Sequence, residues 1–258
     1  MIAGVRSELL KIRTTAVPWV LAGVAVLLEG LAILTNFLGN RNFQGGYLVP
    51  QTTQELRNLL GSGFRGQGYL LALLLGALII TTEFRHKTVT TSFLVTPRRW
   101  AFVLAKIVAA AVLGALLAVL QLVVALVAGG ITLSARGGSF SGLVHQIPAV
   151  VPGMILVYAL FAILGVGIGS ILTNQVAAIV TSLGWFIIGE TILVGLVHSA
   201  YRWTPTGAGD AASNLTRADR GGDVFPIFGW WQGTVLILAY GLGFALLGSF
   251  LLRRRDIT

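Results

Sequence analysis

Residues 101–128 read Ala-Phe-Val-Leu-Ala-Lys-Ile-Val-Ala-Ala-Ala-Val-Leu-Gly-Ala-Leu-Leu-Ala-Val-Leu-Gln-Leu-Val-Val-Ala-Leu-Val-Ala, with Lys106 as the one charge. At about 1.5 Å per residue a helix of this length exceeds the roughly 30 Å of bilayer hydrocarbon. A strand of a membrane barrel would have to alternate apolar and polar residues. The stretch from Val108 to Leu120 does not alternate, so it spans as a helix.

Five further runs of this kind lie on either side, at 16–38, 67–82, 149–172, 176–198 and 226–252. Leu70 to Leu75 again lacks alternation. The composition agrees. Hydrophobic residues make up 55% and charged residues 10%, against about 25% charged in soluble domains. So few charges could not cover the surface of a soluble fold of 258 residues. Zero cysteines exclude disulfides, thiolate metal sites and cysteine nucleophiles. The expected fold is an all-α integral membrane protein, a single transmembrane domain over residues 1–258 with six transmembrane helices.

The formal charge of +9 would suggest nucleic acid in a soluble chain. Here it is a topology signal. With the N-terminus cytoplasmic, the inside segments hold Arg6, Lys11, Arg13, Arg85, Lys87, Arg98, Arg99, Arg253, Arg254 and Arg255, with Lys106 one turn into the third run. The longer outside loops hold fewer basic residues, so both termini are expected in the cytoplasm. No nucleic acid partner is expected; membrane lipid is.

Residues 1–15 form an amphipathic segment. Ile2, Val5, Leu9 and Ile12 fall on one helical face, which suits an interfacial elbow helix. It either transmits motion from a cytoplasmic partner or simply anchors the chain. Thr52-x-x-Glu55 is a capping box ahead of Leu56, Leu59 and Leu60, the mark of a short helix between the first two spans.

The most informative connection is Glu83-Phe-Arg-His-Lys-Thr-Val-Thr-Thr-Ser-Phe-Leu-Val-Thr-Pro-Arg-Arg-Trp100. It is far longer than a tight turn, and mixes charged with apolar residues. Thr96 then Pro97 reads as the N-cap and first residue of the third span. A segment of this character suits docking into a soluble protein's cleft. The alternative is positive-inside charge on an ordinary loop.

The order of these features carries a resemblance. A basic amphipathic N-terminus precedes six spans, and Glu83-Phe84-Arg85-x-x-Thr88 follows the second. Leu94-x-x-Pro97-Arg98-Arg99 and Lys106 open the third, and Arg253-Arg254-Arg255-Asp256 closes the chain. This resembles the permease subunits of the type-2 ABC transporter family, in particular short bacterial ones of actinobacterial type. His86-Lys87 stands where many relatives have a glycine, which touches loop geometry. The resemblance implies an exporter subunit of the bacterial cell membrane, moving a hydrophobic or amphipathic substrate. It implies a coupling segment over 83–100, with Glu83, Phe84, Arg85, Lys87, Thr88, Arg98 and Arg99 engaging a cytoplasmic ABC ATPase. It further implies two ATPase copies and a second permease, identical or homologous.

No Gly-Lys dipeptide occurs, so the chain has no phosphate-cradling P-loop. No catalytic residue and no cofactor is expected in the chain; ATP and Mg belong to the ATPase. His86, His145 and His198 lack ligand spacing, so no metal site is expected. Glu29 and Glu190 are the acids inside the spans. Burying a charge at mid-bilayer costs about 2.5–3.5 kcal/mol on insertion scales. Each either faces a substrate path or is a hydrogen-bonded packing residue. Trp185, in mid-span, is a third candidate for the path. Gln121, Thr181 and Ser182 fit interhelical hydrogen bonds, and Gly165-x-Gly167-x-Gly169 fits close helix approach. A stand-alone secondary transporter or channel, or a non-transporting assembly or sensor subunit, remains open on the residues alone.

Overall fold

The computed structural model describes residues 15–39, 52–86, 99–217 and 224–254. Six helical stretches among them are long and apolar enough to cross a membrane, and the chain is an all-α integral membrane protein. The spans are α1 (Ala16–Gly39), α4 (Gly68–Arg85), α5 (Arg99–Ala135), α7 (Ile147–Leu172), α8 (Gln175–Leu183) continued into α9 (Glu190–Leu196), and α11 (Trp230–Arg254). Between them lie the short helices α2 (Thr53–Leu60), α3 (Ser62–Arg65), α6 (Phe140–Val144) and α10 (Pro205–Ala212). Residues 1–14 of the expected elbow (1–15) and most of the connection between α4 and α5 (87–98, with Lys87, Thr88, Pro97 and Arg98) lie outside the described residues.

Several helix boundaries differ from the sequence expectation; the sixth span, for example, begins at Trp230 and not at 226. α4 continues to Arg85, so Glu83, Phe84 and Arg85 form its last turn and do not belong to a loop. α5 runs past residue 128 to Ala135, where Gly129 and Gly130 do not stop it. The fifth span contains a π-helical stretch, Gly184–Gly189, an insertion that re-aims the residues after it. Pro152 lies within α7 without ending it.

α7 is the central helix and packs on α4, α5 and α11. Its glycines make this possible. A methyl group added at Gly165 would overlap the Leu73 carbonyl, and one at Gly76 would overlap the Ala162 carbonyl. The backbones of α4 and α7 are therefore in direct contact, as small residues permit in membranes. Beside this contact Phe64, Tyr69, Tyr158, Phe161 and Phe186 form one aromatic cluster. The capping box of α2 is present: Thr52 Oγ1 accepts from the Glu55 amide at 3.1 Å, and Glu55 Oε2 from the Thr52 amide at 3.0 Å.

α10 is the least expected element. Thr204 Oγ1 caps it, accepting from the Gly207 amide at 3.1 Å, and Pro205 occupies its first turn. Every residue from Thr206 to Ala212 is buried, against α11, α7 and the 3-10 turn His198–Trp203. Its composition, Gly-Ala-Gly-Asp-Ala-Ala over 207–212, lets a short helix fit where larger side chains would not.

Candidate functional site

The end of the bundle where α4 stops and α5 starts carries a buried ion pair. Glu83 lies on the inward face of the last turn of α4, and Lys106 faces it from α5. Lys106 Nζ donates to Glu83 Oε1 at 2.8 Å and to the Ile79 carbonyl at 3.1 Å. The lysine side chain is fully buried and the glutamate nearly so. Two charges removed from water in this way compensate each other, and removing either weakens the compensation of the other. The pair pins the second span to the third where both enter the connection between them.

Next to it Phe84 and Arg85 line a cleft of about 610 Å³ with Thr173, Asn174, Gln175 and Val176. Arg85 Nη1 donates to Gln175 Oε1 at 3.2 Å. The opposite wall is the tight connection from α7 to α8, where Thr173 takes a left-handed conformation and Asn174 caps α8. Of the sequence candidates at this end, Glu83 turns into the bundle, Phe84 is half-buried and Arg85 is exposed. Arg99 is the first residue of α5.

The opposite end holds a second group of polar residues. Glu190 follows the π-helical stretch, and α10 brings Thr206 against it. Thr206 donates its hydroxyl to Glu190 Oε2 at 2.7 Å and its amide to Oε1 at 3.3 Å. Tyr69 Oη is 3.4 Å from the same threonine hydroxyl. One turn further along α10, Asp210 is buried; it accepts from the Tyr201 phenol, and Arg217 Nε lies 3.7 Å away. Burial, reinforced by the Asp210 charge, raises the Tyr201 phenol well above its ordinary value, so it stays protonated as a donor. Glu190, Thr206, Tyr201, Arg217, His198 and Tyr69 are among the residues lining a cleft of about 490 Å³.

Glu29 belongs to a separate cluster. Its Oε1 accepts from Ser62 Oγ at 2.5 Å, while Oε2 has no hydrogen-bond partner. Gln121 sits near it, accepting from the Tyr158 hydroxyl and donating to the Ala25 carbonyl at 3.4 Å. These contacts join α1, α3, α5 and α7 in the bundle interior. Trp185 does not line the Glu190 cleft; it is 48% exposed. Trp185 is nonetheless one π-helical turn from Glu190, whose amide donates to the Trp185 carbonyl, while Glu29 belongs to its own cluster.

Thr206, Asp210, Tyr201 and Arg217 were not singled out from sequence. Thr204-Pro205 is a helix-start pattern that could have drawn attention to this segment, but nothing in the local pattern says that α10 is buried or that it faces Glu190.

A family model described as ABC-2 family transporter protein matches residues 5–189. The match runs from the N-terminal segment to the end of the π-helical stretch, one residue short of Glu190. No curated protein and no solved structure matches the chain.

Proposed function

The chain belongs to the ABC-2 family of transporter proteins, and from this membership we propose that it is the permease subunit of an ATP-driven exporter in a bacterial plasma membrane. The energy comes from a separate cytoplasmic ATPase, which carries the ATP and Mg. Two ATPases and two permeases, identical or homologous, form the working unit. The end bearing Arg85 and Arg99 faces the cytoplasm, as the positive-inside rule favours.

The observation that carries this reading is the Glu83–Lys106 ion pair. The pair joins the last turn of α4 to α5, the two helices that residues 87–98 connect in the sequence. A push on the segment is therefore delivered to two pinned helices together. Phe84, Arg85, Lys87, Thr88, Arg98 and Arg99 present the contact surface to the ATPase. Glu83 acts from inside, by holding α5. The 610 Å³ cleft beside Arg85 gives the contact a concave seat on the permease.

α1 and the fifth span bury only 17% and 22% of their apolar windows within the chain. Their remaining apolar faces suit lipid and the second permease. Trp185 lies on such a face. Glu190 lines the cleft at the far end, where a hydrophobic or amphipathic substrate would leave. Glu29, held by Ser62 in its own buried cluster, is kept as a second candidate for a substrate route.

The test is co-purification with the ATPase encoded nearest the permease gene, followed by reconstitution in vesicles. ATP-dependent export that fails when Arg85, Lys87 and Arg98 are reversed to Glu, with the complex weakened, supports the reading. Transport that persists without any ATPase, or is unaffected by the triple reversal, overturns it.

A further inference from the structure

Glu190 is 5% exposed, and among the described residues its carboxylate is hydrogen-bonded through threonine hydroxyl and amide groups. Among the described residues no lysine or arginine nitrogen lies within 4.0 Å of it. The nearest guanidinium along the cleft, that of Arg217, is set against Asp210. The described residues bring two acids, Glu190 and Asp210, and one guanidinium, Arg217, to this region. A carboxylate has room for about four hydrogen bonds, and Thr206 fills only part of that capacity.

The walls near this carboxylate are aromatic. Tyr69 and Phe186 stand on one side, with ring centroids 5.9 Å apart. Tyr201 and Phe225 stand on another, 4.6 Å apart. All four line the cleft with Glu190. A carboxylate in an aromatic-lined cleft can bind an ammonium group: the carboxylate supplies the counter-charge, and a ring open to the cleft supplies cation–π attraction. A cavity of about 490 Å³ suits a small organic molecule or a headgroup. It is far too wide to coordinate a bare alkali ion, which needs oxygens closing on it from several sides.

We propose that the cleft between Glu190, Tyr69, Phe186 and Tyr201 is a binding site for an organic ammonium group. The occupant is either a soluble amine or the amine of a lipid headgroup, since both present the same chemistry. The site stands on this geometry alone and does not require the exporter reading, so it is tested without an ATPase.

The probe is benzyltrimethylammonium, titrated calorimetrically onto the full chain in nanodiscs of diglucosyldiacylglycerol, which carries neither amine nor net charge. The comparison ligand is its uncharged carbon isostere, neopentylbenzene. Saturable binding of the cation, about tenfold or more tighter than the isostere, is the expected result. Glu190→Gln removes that preference. Gly195→Phe weakens binding by a similar factor. A side chain at 195, on the cleft wall, starts in open space and fills the cleft without disturbing the carboxylate. This variant decides the matter should Glu190→Gln fail to fold. Phosphatidylethanolamine in the nanodisc displaces the probe if the occupant is a lipid headgroup. Free ethanolamine displaces it with the lipid amine ineffective if the occupant is soluble. Equal binding of cation and isostere, equal displacement by potassium ions, or folded variants that bind as the parent does would overturn the proposal.

Discussion

The ammonium of Lys106 lies 2.8 Å from the carboxylate of Glu83, with both side chains withdrawn from solvent. The two residues are 23 positions apart, yet they fasten the last turn of one span to the early part of the next.

Removing one partner is therefore predicted to be worse than removing both. Lys106→Met leaves a buried carboxylate and Glu83→Gln leaves a buried ammonium; each single change is expected to cost about 3–5 kcal/mol. The double variant replaces a charged pair by a neutral one, and is expected to recover much of that loss. Melting of the three variants and the parent in detergent, followed by native-size chromatography, gives the order. A double variant that melts as low as the sum of the singles would show that the pair is not a unit.

Close approach of α4 and α7 gives a second prediction. Gly165→Ala places a methyl group into the Leu73 carbonyl, and Gly76→Ala does the same against Ala162. Backbone carbonyls cannot swing aside as a side-chain tip can, so both variants are expected to lose folded yield. Gly243→Ala, where the new methyl meets nothing within 4 Å, is the matched control in α11. It is expected to be neutral or to gain up to about 1 kcal/mol from helix propensity. Fluorescence-detected chromatography of the three variants separates these outcomes; a folded Gly165→Ala protein of parental stability would contradict the backbone contact.

How far the sequence carried is clearest at Lys106 and Thr206. Six spans followed from run length and the absence of alternation, which are local properties. The capping box Thr52-x-x-Glu55 was equally local. The partners were not. That Lys106 closes on Glu83 depends on how α4 and α5 lie side by side. Thr206 meets Glu190 only because α10 is buried against α7 and α11. The π-helical stretch before Glu190 was also invisible, since Gly184 and Gly189 are compatible with an ordinary apolar helix. Glu83 illustrates the limit best: its position after an apolar run suggested a loop, whereas its ion pair keeps it in the helix.

Tyr201 gives a pH prediction whose sign follows from its surroundings. Burial and the Asp210 carboxylate raise its phenol in the folded chain, while the unfolded phenol titrates near pH 10. Below that value both states hold the proton and stability is flat on account of this group. Above it the folded chain retains a proton that the unfolded chain releases, so stability falls as pH rises. Tyr201→Phe removes the hydrogen bond to Asp210 and is expected to cost about 1–3 kcal/mol at neutral pH, while reducing the alkaline slope. Melting temperatures between pH 8 and about pH 11 test both parts, and an unchanged alkaline slope would exclude Tyr201 as its source.

The cap of α10 yields the last prediction, because that helix supplies Thr206 to Glu190 and Asp210 to Tyr201. Thr204 Oγ1 accepts from the Gly207 amide at 3.1 Å and donates to the Tyr201 carbonyl at 2.8 Å. Thr204→Ala removes both bonds and is expected to cost about 1–2 kcal/mol. Thr204→Ser keeps the oxygen and is expected to retain most of that stability. Thr206 and Asp210 ride on the same helix, so loosening its first turn also loosens the contacts to Glu190 and Tyr201. Hydrogen exchange of the peptide covering 204–215 is therefore expected to speed up in the Ala variant, with the Ser variant close to the parent. If exchange there were already fast in the parent, α10 would not be the fixed support that its burial implies.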